Sequence, residues 1–307
     1  MGNTTRHRPG RTALAGAAAG LLVLVGAVSG CSAGDGGDGS GRGGQSATRP
    51  ERKTTPQWKA NPSSIAAVGD SITRGFDACS VLADCPEASW ATGNDPAVHS
   101  LASRLLGDAK AAGSSWNFAR TGARMADLPG QMEAAVERRP ELVTVMAGSN
   151  DACRASARAM TPVAAFRADF ERALKELRST LPRTQVYVSS VPDLLRLWEQ
   201  GRGSPLGRQI WKLGVCPSML ADPEALDTPA VTRRQAVRTR VEAYNRVLKD
   251  VCGKDPLCRY DGGAVFRYPF TATQLSRWDW FHPGKDGQAR LAELAHRQVT
   301  AARPPSG

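Results

Sequence analysis

The sequence lacks several features that would place it in common classes of protein. Its clearest apolar run extends from residue 13 to residue 28, which is shorter than the ~20 residues that a membrane-spanning helix needs. No Cys-x-x-Cys pair is present, which argues against a zinc site. No internal repeat and no nucleic-acid-binding motif is visible. We therefore expect no metal, no organic cofactor and no nucleic acid as a partner.

The N-terminal residues have the organisation of an export signal. Arg6, Arg8 and Arg11 precede the apolar run, and Val28-Ser29-Gly30-Cys31 follows it. This order resembles the lipobox of bacterial lipoproteins, in which cleavage before the cysteine leaves its thiol for lipidation. We predict a signal peptide over residues 1–30 and a lipid anchor on Cys31, which would hold the protein at the outer face of the bacterial cell membrane. The alternative is an ordinary signal peptide with an incidental cysteine, and hence a secreted protein.

The composition divides the rest of the chain into a tether and a domain. Residues 31–60 are rich in glycine and serine, with scarcely an apolar side chain before Trp58, which predicts a flexible tether. Residues 61–303 are long enough for one α/β domain with a substantial core. The formal net charge of +11 is spread along the chain, which indicates a generally basic surface. We expect the protein to be a monomer.

Apart from Cys31, the sequence has six cysteines, an even number in a chain destined for an oxidising compartment. Three disulfides are expected, and we predict a sequential pairing among the several that are possible: Cys79–Cys85, Cys153–Cys216 and Cys252–Cys258. The second of these bridges would pin residues 200–229, whose glycines and prolines predict an irregular segment that could hold specificity.

Four apolar, β-prone runs predict strands, and helical patterns separate at least some of them. The clearest helix starts at Thr161-Pro162, continues with apolar residues at spacings of three or four, and ends before Leu181-Pro182. Similar patterns cover residues 237–248 and 291–295. The alternation predicts a parallel sheet covered on both faces, with the chemistry beyond the carboxyl ends of its strands. The predicted strands are Ile65–Val68, Trp116–Ala119, Leu142–Ala147 and Val186–Val191.

A reactive hydroxyl follows the first predicted strand. Ser71 lies in Gly69-Asp70-Ser71-Ile72-Thr73, directly after Ile65–Val68, where the chemistry of such a sheet is expected. No Gly-x-Ser-x-Gly elbow surrounds it, which argues against the other large esterase fold. The neighbouring Asp70 could be taken for a base, but a carboxylate at this place is more consistent with bonding the local backbone and shaping the turn.

A serine nucleophile needs a base, and the chain has only four histidines. His7 would leave with the signal peptide. His282 has Asp279 three residues before it, close enough for a carboxylate to hold the Nδ1 proton and fix the tautomer needed at Nε2. His99 and His296 lack such support, so His282 is the predicted base.

Attack on a carbonyl carbon places negative charge on its oxygen, and donors aimed at that oxygen usually supply the largest catalytic term. The backbone amide of Ser71, at a predicted helix start, is one candidate. Asn150 offers a side-chain amide after its strand, and Gly122 could present its backbone amide with no side chain in the way. A tight-turn glycine is the alternative interpretation of Gly122.

Four blocks of the sequence, in order and in spacing, resemble the signature blocks of the SGNH, or GDSL, hydrolases. They are Gly69-Asp70-Ser71, Asn117–Gly122, Gly148-Ser149-Asn150-Asp151 and Asp279–His282. The resemblance covers nearly all of residues 61–303, and residues 142–153 and 188–203 look similar to phospholipase B-like members and secreted bacterial lipases. It implies a flavodoxin-like three-layer α/β/α sandwich with a central parallel sheet. It also implies roles for individual residues: Ser71 as nucleophile, His282 as base, Asp279 as its orienter, and Ser71, Gly122 and Asn150 as oxyanion-hole donors.

The sequence thus predicts an extracytoplasmic, lipid-anchored serine esterase or lipase that hydrolyses carboxylic esters through an acyl-enzyme. Lipid and phospholipid acyl esters are among its candidate substrates. An esterase that removes acetyl groups from cell-wall or other polysaccharides is an alternative. A non-catalytic surface-binding module is the least favoured reading. Trp278, Trp280 and Phe281 flank the predicted base and could either line an acyl pocket or serve packing.

Overall fold

The computed structural model describes residues 57–303. The predicted signal peptide, Cys31 and the predicted tether up to residue 56 lie outside the described residues. Five parallel strands form a central sheet in the order β2-β1-β3-β4-β5, which is a flavodoxin-like order. The strands are β1 (Ile65–Gly69), β2 (Ser115–Asn117), β3 (Leu142–Met146), β4 (Gln185–Val188) and β5 (Cys258–Tyr260).

Twelve α-helices and four short 3-10 helices accompany the sheet in this part of the chain. The α-helices are α1 (Ser71–Arg74), α2 (Leu101–Leu106), α3 (Asp108–Ser114), α4 (Leu128–Val136), α5 (Ser149–Ala152), α6 (Val163–Thr180), α7 (Leu194–Gly201), α8 (Pro205–Trp211), α9 (Pro217–Leu220), α10 (Thr228–Cys252), α11 (Ala264–Arg267) and α12 (Lys285–Thr300). The 3-10 helices are Pro86–Ala88, Met125–Asp127, Ala157–Ala159 and Ala272–Gln274.

Helices cover both faces of the sheet. The crossover from β1 to β2 runs along the sheet in the opposite direction from the crossovers that lead to β3, β4 and β5. Such crossovers are right-handed. The helices between β1 and β2 therefore lie on one face of the sheet, and the helices that lead to β3, β4 and β5 lie on the other. Accordingly, α2 packs against α3 and α12, whereas α6 packs against α4 and α10. The predicted three-layer sandwich is confirmed.

The inner strands are buried on both sides. Every residue of β1, β3 and β4 is buried, as expected for parallel strands covered by helices on each face. Gly69 at the carboxyl end of β1 pairs with Met146 at the carboxyl end of β3. The loops that follow these two strands therefore start side by side at one edge of the sheet.

Two strands end two or three residues earlier than predicted, and side chains bond the backbone beyond their ends. β2 ends at Asn117, whose side-chain oxygen accepts the amide of Ala119 at 3.0 Å and turns the chain. β4 ends at Val188, and the side chain of Asn245 bonds the amide and the carbonyl of Val191 at 2.8 and 3.1 Å. The sequence analysis does not predict β5, a three-residue edge strand with the charged Arg259 at its centre.

The three predicted helices correspond to α6, α10 and α12. The start of α6 differs slightly, since Pro162 rather than Thr161 is its cap residue and no side chain caps it. The carbonyl of Thr161 instead accepts hydrogen bonds from Tyr244 at 2.5 Å and from Arg240 at 2.7 Å. Thr161 therefore joins α6 to α10 instead of capping α6.

The prediction of an irregular segment over residues 200–229 is wrong. This stretch contains α8, α9 and the start of α10, and Pro205, Pro217 and Pro229 lie in their first turns. A proline there lacks only an amide that has no helical partner, so it starts a helix rather than interrupting one. We call residues 194–220, which comprise α7 to α9, the cap segment.

Three disulfides stabilise the described domain at the sequential pairs predicted above. The bridges Cys79–Cys85 and Cys252–Cys258 each join cysteines six residues apart in the sequence. The bridge Cys153–Cys216 joins cysteines 63 residues apart. The long bridge joins the end of α5 to the start of α9. It fastens the cap segment to the loop that follows β3.

The last residues of the predicted tether that the structure describes contact the folded domain. Trp58 donates its indole N–H to the Val299 carbonyl at 2.8 Å, and the Lys59 carbonyl accepts the side-chain amide of Gln185 at 2.9 Å. Ordered contacts thus begin before the predicted domain boundary at residue 61. None of the described helices is long and apolar enough to span a membrane.

Candidate active site

The end of β1 places Ser71 at the edge of the sheet. Gly69 has a φ of +152°, and a Cβ on it would lie 2.1 Å from the Met146 carbonyl oxygen, so only glycine fits there. Asp70 then accepts the amide of Ile72 at 3.0 Å through Oδ1 and caps α1, the turn-shaping role expected for it. Ser71 is the first residue of α1 and is 5% exposed.

His282 bridges this serine and an aspartate. Its Nε2 lies 2.9 Å from Ser71 Oγ, and its Nδ1 lies 2.5 Å from Asp279 Oδ2. The other carboxylate oxygen of Asp279 accepts the backbone amides of Phe281 and His282, both at 3.0 Å. Trp211 of α8 donates its indole N–H to the Asp279 carbonyl at 2.6 Å. A proton on Nδ1 satisfies the carboxylate and leaves Nε2 free to accept the serine hydroxyl.

Burial and charge act in opposite directions on the Asp279–His282 pair. Burial raises the pKa of Asp279, but the charge of His282 and the hydrogen bonds from His282 and Phe281 outweigh it, so the pKa is lowered. Burial lowers the pKa of His282, but the charge of Asp279 and the hydrogen bond to it outweigh this, so the pKa is raised. The pair therefore favours an imidazolium beside a carboxylate once Nε2 has taken a proton.

Two more buried carboxyl groups support the loops of the site. Burial raises the pKa of Asp70 to about 7 and that of Asp151 to about 6. Asp151 accepts the Met125 amide at 2.8 Å, which links the loop after β3 to the loop after β2. Neither carboxyl is hydrogen-bonded to Ser71 or His282 among the described residues.

The predicted donors lie beside Ser71. Gly122 and Asn150 line the same cavity as the serine. Gly122 has a φ of +82° and no atom within 4 Å of the place a Cβ would take, so this turn faces open space. Asn150 donates one N–H to the Ala123 carbonyl at 3.0 Å, and since a side-chain amide has two N–H groups, one remains for a developing oxyanion. The Ser71 amide lies in the first turn of α1, where amides lack a helical acceptor.

A partly open cavity of about 230 Å³ adjoins these groups. One wall comes from α7, through Leu194 and Leu197, and another comes from Gly214–Cys216 of the cap segment. Phe281 completes the lining beside His282, as the sequence analysis allows. The cap segment thus contributes an apolar part of the wall beyond the serine.

The remaining candidates of the sequence analysis lie elsewhere. Trp278 lines a different surface cavity, and Trp280 packs against Gly207 of α8. His99 is exposed in a loop, and His296 lies on α12. None of these side chains lines the cavity at Ser71.

Two groups of side chains in the described residues resemble sets of metal ligands. One consists of Cys79, Cys85 and Glu87, but its two thiols form a disulfide. In the other, ligand atoms of Asp77, Asp279 and His282 all lie within 4.8 Å of one another. Asp77 was not a candidate in the sequence analysis, and neither were the cap-segment leucines, because only the folding of distant segments brings them to the site.

The sheet has a flavodoxin-like strand order, and the serine at the end of its first strand adjoins a histidine and an aspartate. This combination defines a hydrolase with a three-layer α/β/α fold. A family comparison agrees with this class: the model of the GDSL-like lipase/acylhydrolase family matches residues 65–295. The chain belongs to this family, and it is an enzyme that hydrolyses carboxylic esters.

Solved structures with a related fold include an acetylxylan esterase from Geobacillus stearothermophilus, present as a catalytic mutant, with 17% identity and a TM-score of 0.48. That match covers 80% of this chain and 98% of the esterase. An extracellular lipase from Streptomyces rimosus has 16% identity and a TM-score of 0.46, over 78% of this chain and 100% of the lipase. A search of curated proteins found no match.

Proposed function

We propose that this protein is an extracytoplasmic serine esterase that cleaves esters of short- or medium-chain acids through an acyl-enzyme. The observation that supports this best is the continuous line of hydrogen-bonding groups from Ser71 Oγ through His282 to Asp279, with distances of 2.9 and 2.5 Å. In this proposal Ser71 is the nucleophile, His282 the general base and Asp279 the group that orients it.

The reaction has two halves that use the same groups. His282 Nε2 takes the proton of Ser71 Oγ as this oxygen bonds to the ester carbonyl carbon, and the electron pair of the carbonyl moves onto its oxygen. When the carbonyl re-forms, the bond to the alcohol oxygen breaks and the alcohol leaves with the proton from Nε2. A water then attacks the acyl-enzyme in the same way, and the carboxylic acid departs while Ser71 regains its proton.

The negative charge on the carbonyl oxygen calls for donors beside Ser71. The amides of Ser71 and Gly122 and the free N–H of Asn150 are the groups of this cavity suited to that task. The bond from Asn150 to Ala123 supports this assignment, because it orients the side chain before substrate arrives. Donors that are already oriented need no reorganisation during the reaction.

The cavity supports a preference for acyl chains of modest length. Its volume of about 230 Å³ gives room for a chain of several carbons. The apolar contacts from Leu194, Leu197 and Phe281 suit such a chain rather than a polar group.

A carbohydrate acetyl esterase is a second candidate, and the small volume of the cavity favours it. A panel of p-nitrophenyl esters from acetate to palmitate, together with acetylated xylan, distinguishes the two. A maximum at butyrate or hexanoate supports the first function. Acetate release from the glycan without activity on longer chains would support the second.

The location of the enzyme belongs to the same proposal. A lipid on Cys31, followed by the glycine- and serine-rich residues 31–56, would keep the domain outside the cell membrane and near esters in the envelope. The lipobox-like residues Val28-Ser29-Gly30-Cys31 support this location. The three disulfides also support it, because disulfides persist in an oxidising compartment. We expect the domain to act as a monomer.

Replacement of the nucleophile tests the function directly. Ser71→Ala is expected to lower kcat on p-nitrophenyl butyrate on the order of 10⁶-fold and to abolish covalent labelling by a fluorophosphonate. Ser179→Ala, on the exposed side of α6, should match the unmodified protein in both assays. Turnover by folded Ser71→Ala at the unmodified rate would refute the assignment.

A further inference from the structure

A second aspartate stands beside the Asp279–His282 pair. Asp77 follows α1, six residues after Ser71, and comes from a different part of the chain from Asp279. One carboxylate oxygen of each aspartate and a ring nitrogen of His282 lie within 4.8 Å of one another. The imidazole therefore has a carboxylate bonded to it and another within Coulombic range.

The position of Asp77 is set by hydrogen bonds on several sides. Its Oδ1 accepts the Leu82 amide, its own amide donates to the Ala83 carbonyl at 2.9 Å, and its carbonyl accepts the Ser276 hydroxyl at 2.6 Å. The residue is 1% exposed and has a left-handed φ of 59°. Such a conformation is uncommon for a non-glycine residue and persists only where its surroundings hold it.

The second carboxylate oxygen of Asp77 has no hydrogen-bond partner among the described residues. A buried carboxylate usually has partners for both oxygens, so an oxygen without one calls for an explanation. Asp77 also lines a surface cavity of about 370 Å³ whose lining does not include Ser71. The carboxylate thus stands between that cavity and the Asp279–His282 pair.

The charges around His282 come from three elements. Asp279 lies in its own loop, Asp77 follows α1, and Asp70 caps α1; all three act to raise the pKa of the imidazole. Burial, followed by the charge of Asp279, raises the pKa of Asp77 to about 6. At neutral pH its carboxylate is therefore ionised.

The nearby cations have other partners. Lys285, on the wall of the surface cavity, pairs with Asp95 at 2.7 Å. Arg277, on the same wall, lies over the ring of Trp278 at 4.5 Å. Neither forms a salt bridge with Asp77 in the described domain, so His282 is the cation that its charge would meet during the reaction.

We propose that Asp77 is a positioning residue of the esterase: its ionised carboxylate stabilises the imidazolium that forms on His282 when Ser71 attacks the ester. The role rests on the proposed function, because it acts through the base assigned there. It adds a second carboxylate to the pair without replacing Asp279, which is the partner of Nδ1 among the described residues.

Two effects on catalysis follow. His282 must be neutral to accept a proton, so activity falls as the pH drops through its pKa. This fall is the acid limb of the pH–activity profile. Because the pKa of His282 is raised, the acid limb lies above the ordinary pKa of histidine. Without the charge of Asp77 the imidazolium is less stable, so the limb moves to lower pH and His282 becomes a weaker base. At the upper limit of 4.8 Å for their separation, effective dielectric constants of about 80 to 20 give a shift of roughly 0.6 to 2.5 pH units.

The test compares Asp77→Asn with the unmodified protein. Asparagine keeps an oxygen for the Leu82 amide but removes the charge. We expect the acid limb of kcat/KM for p-nitrophenyl butyrate to move down by at least about 0.5 pH units, with a severalfold lower plateau kcat and an unchanged KM. Asp77→Glu keeps the charge and should restore the original limb. Asp95→Asn removes the carboxylate that pairs with Lys285 and should leave the limb in place.

The outcomes separate the inference from the proposed function. If Asp77→Asn melts at a lower temperature but keeps the original limb, Asp77 only supports the loop, and the inference is overturned. If the variants do not fold, an NMR titration of the Asp77 carboxyl in the unmodified protein tests the inference, because a carboxyl that stays protonated at neutral pH carries no charge and would overturn it. Failure of the proposed function would give a different result, because a fluorophosphonate would then not label Ser71 of the unmodified protein.

Discussion

At the scale of the residue, the site is built from side chains whose groups are oriented by neighbours before any substrate binds. Asp279 receives two backbone amides on one oxygen and His282 on the other, so the imidazole has one favourable orientation. Ser71 needs only its place at the start of α1 to meet Nε2. The chemistry therefore depends on exact positions more than on unusual residue types.

Asn150 offers the sharpest test of the oxyanion site. Asn150→Ala removes a donor and also the bond to Ala123, and kcat is expected to fall by about 10² to 10³ while KM changes little. The reason is that this N–H meets substantial negative charge only after attack has begun. Steady-state kinetics on p-nitrophenyl butyrate measure the effect.

Asn150→Asp serves as the matched comparison, since it keeps the shape of the side chain but replaces the donor by an acceptor. It should be at least as impaired as Asn150→Ala, because a carboxylate repels the oxyanion. Equal kcat values for the unmodified protein and both variants would exclude Asn150 as a donor.

At the scale of the element, the cap segment decides the shape of the cavity. Its helix α7 contributes Leu194 and Leu197 to the wall. The indole of Trp211 in α8 supports the site through its bond to the Asp279 carbonyl. The disulfide Cys153–Cys216 joins the end of the cap segment to α5. This one bridge thus connects the loop of Asn150 to the wall of the acyl cavity. Loosening the bridge should affect stability and acyl preference together.

Removal of individual bridges tests that connection. In the chain-entropy account, a separation of 63 residues corresponds to roughly 4 kcal/mol of stability, and a separation of six to roughly 2 kcal/mol. The double variant Cys153→Ser/Cys216→Ser should lose more stability in chemical denaturation, and should accept longer acyl chains because the wall at Val215 is no longer fastened.

Cys252→Ser/Cys258→Ser is the control, since that bridge joins α10 to β5 and does not line the cavity at Ser71. It should lose less stability and keep the acyl preference of the unmodified protein. Identical chain-length profiles for all three proteins would show that the long bridge does not shape the cavity.

At the scale of the whole molecule, the described residues form a domain that contains its own core and its complete candidate site. Trp58 and Lys59 are held by Val299 and Gln185, so ordered contacts start within two residues of position 57. The groups assigned to the chemistry all lie within the described residues. Residues 1–56 are expected to decide where the enzyme works.

Separation of the two roles gives the last prediction. Cys31→Ser should release the protein from the membrane fraction of the producing cells, because no thiol remains for lipidation, while kcat and KM on soluble esters stay unchanged. Cell fractionation with an activity assay on each fraction measures both. Cys79→Ser/Cys85→Ser, which removes two cysteines of the domain, should stay in the membrane fraction. Equal membrane retention of Cys31→Ser would contradict the anchor.

The layers of the fold and the polar groups of the site follow from patterns in the amino-acid sequence. Its apolar runs and helical periodicity define β1, β3, α6 and the alternation that makes the sheet parallel. Because parallel strands end at one edge, the groups that follow β1, β2 and β3 had to meet there. Asp279 and His282 are neighbours in the chain, so local spacing was enough to pair them.

The surroundings of these groups depend on how distant segments pack together. β5 has no apolar run to reveal it, and α8 and α9 start at prolines that resemble breaks. Asp77 reaches His282, and Leu197 reaches the cavity, across sequence distances that no local pattern encodes. Burial and charge then set the pKa of each buried carboxyl, and both depend on the packing of distant segments. The reactive groups are thus a property of the sequence, whereas their environment and the size of the cavity are properties of the fold.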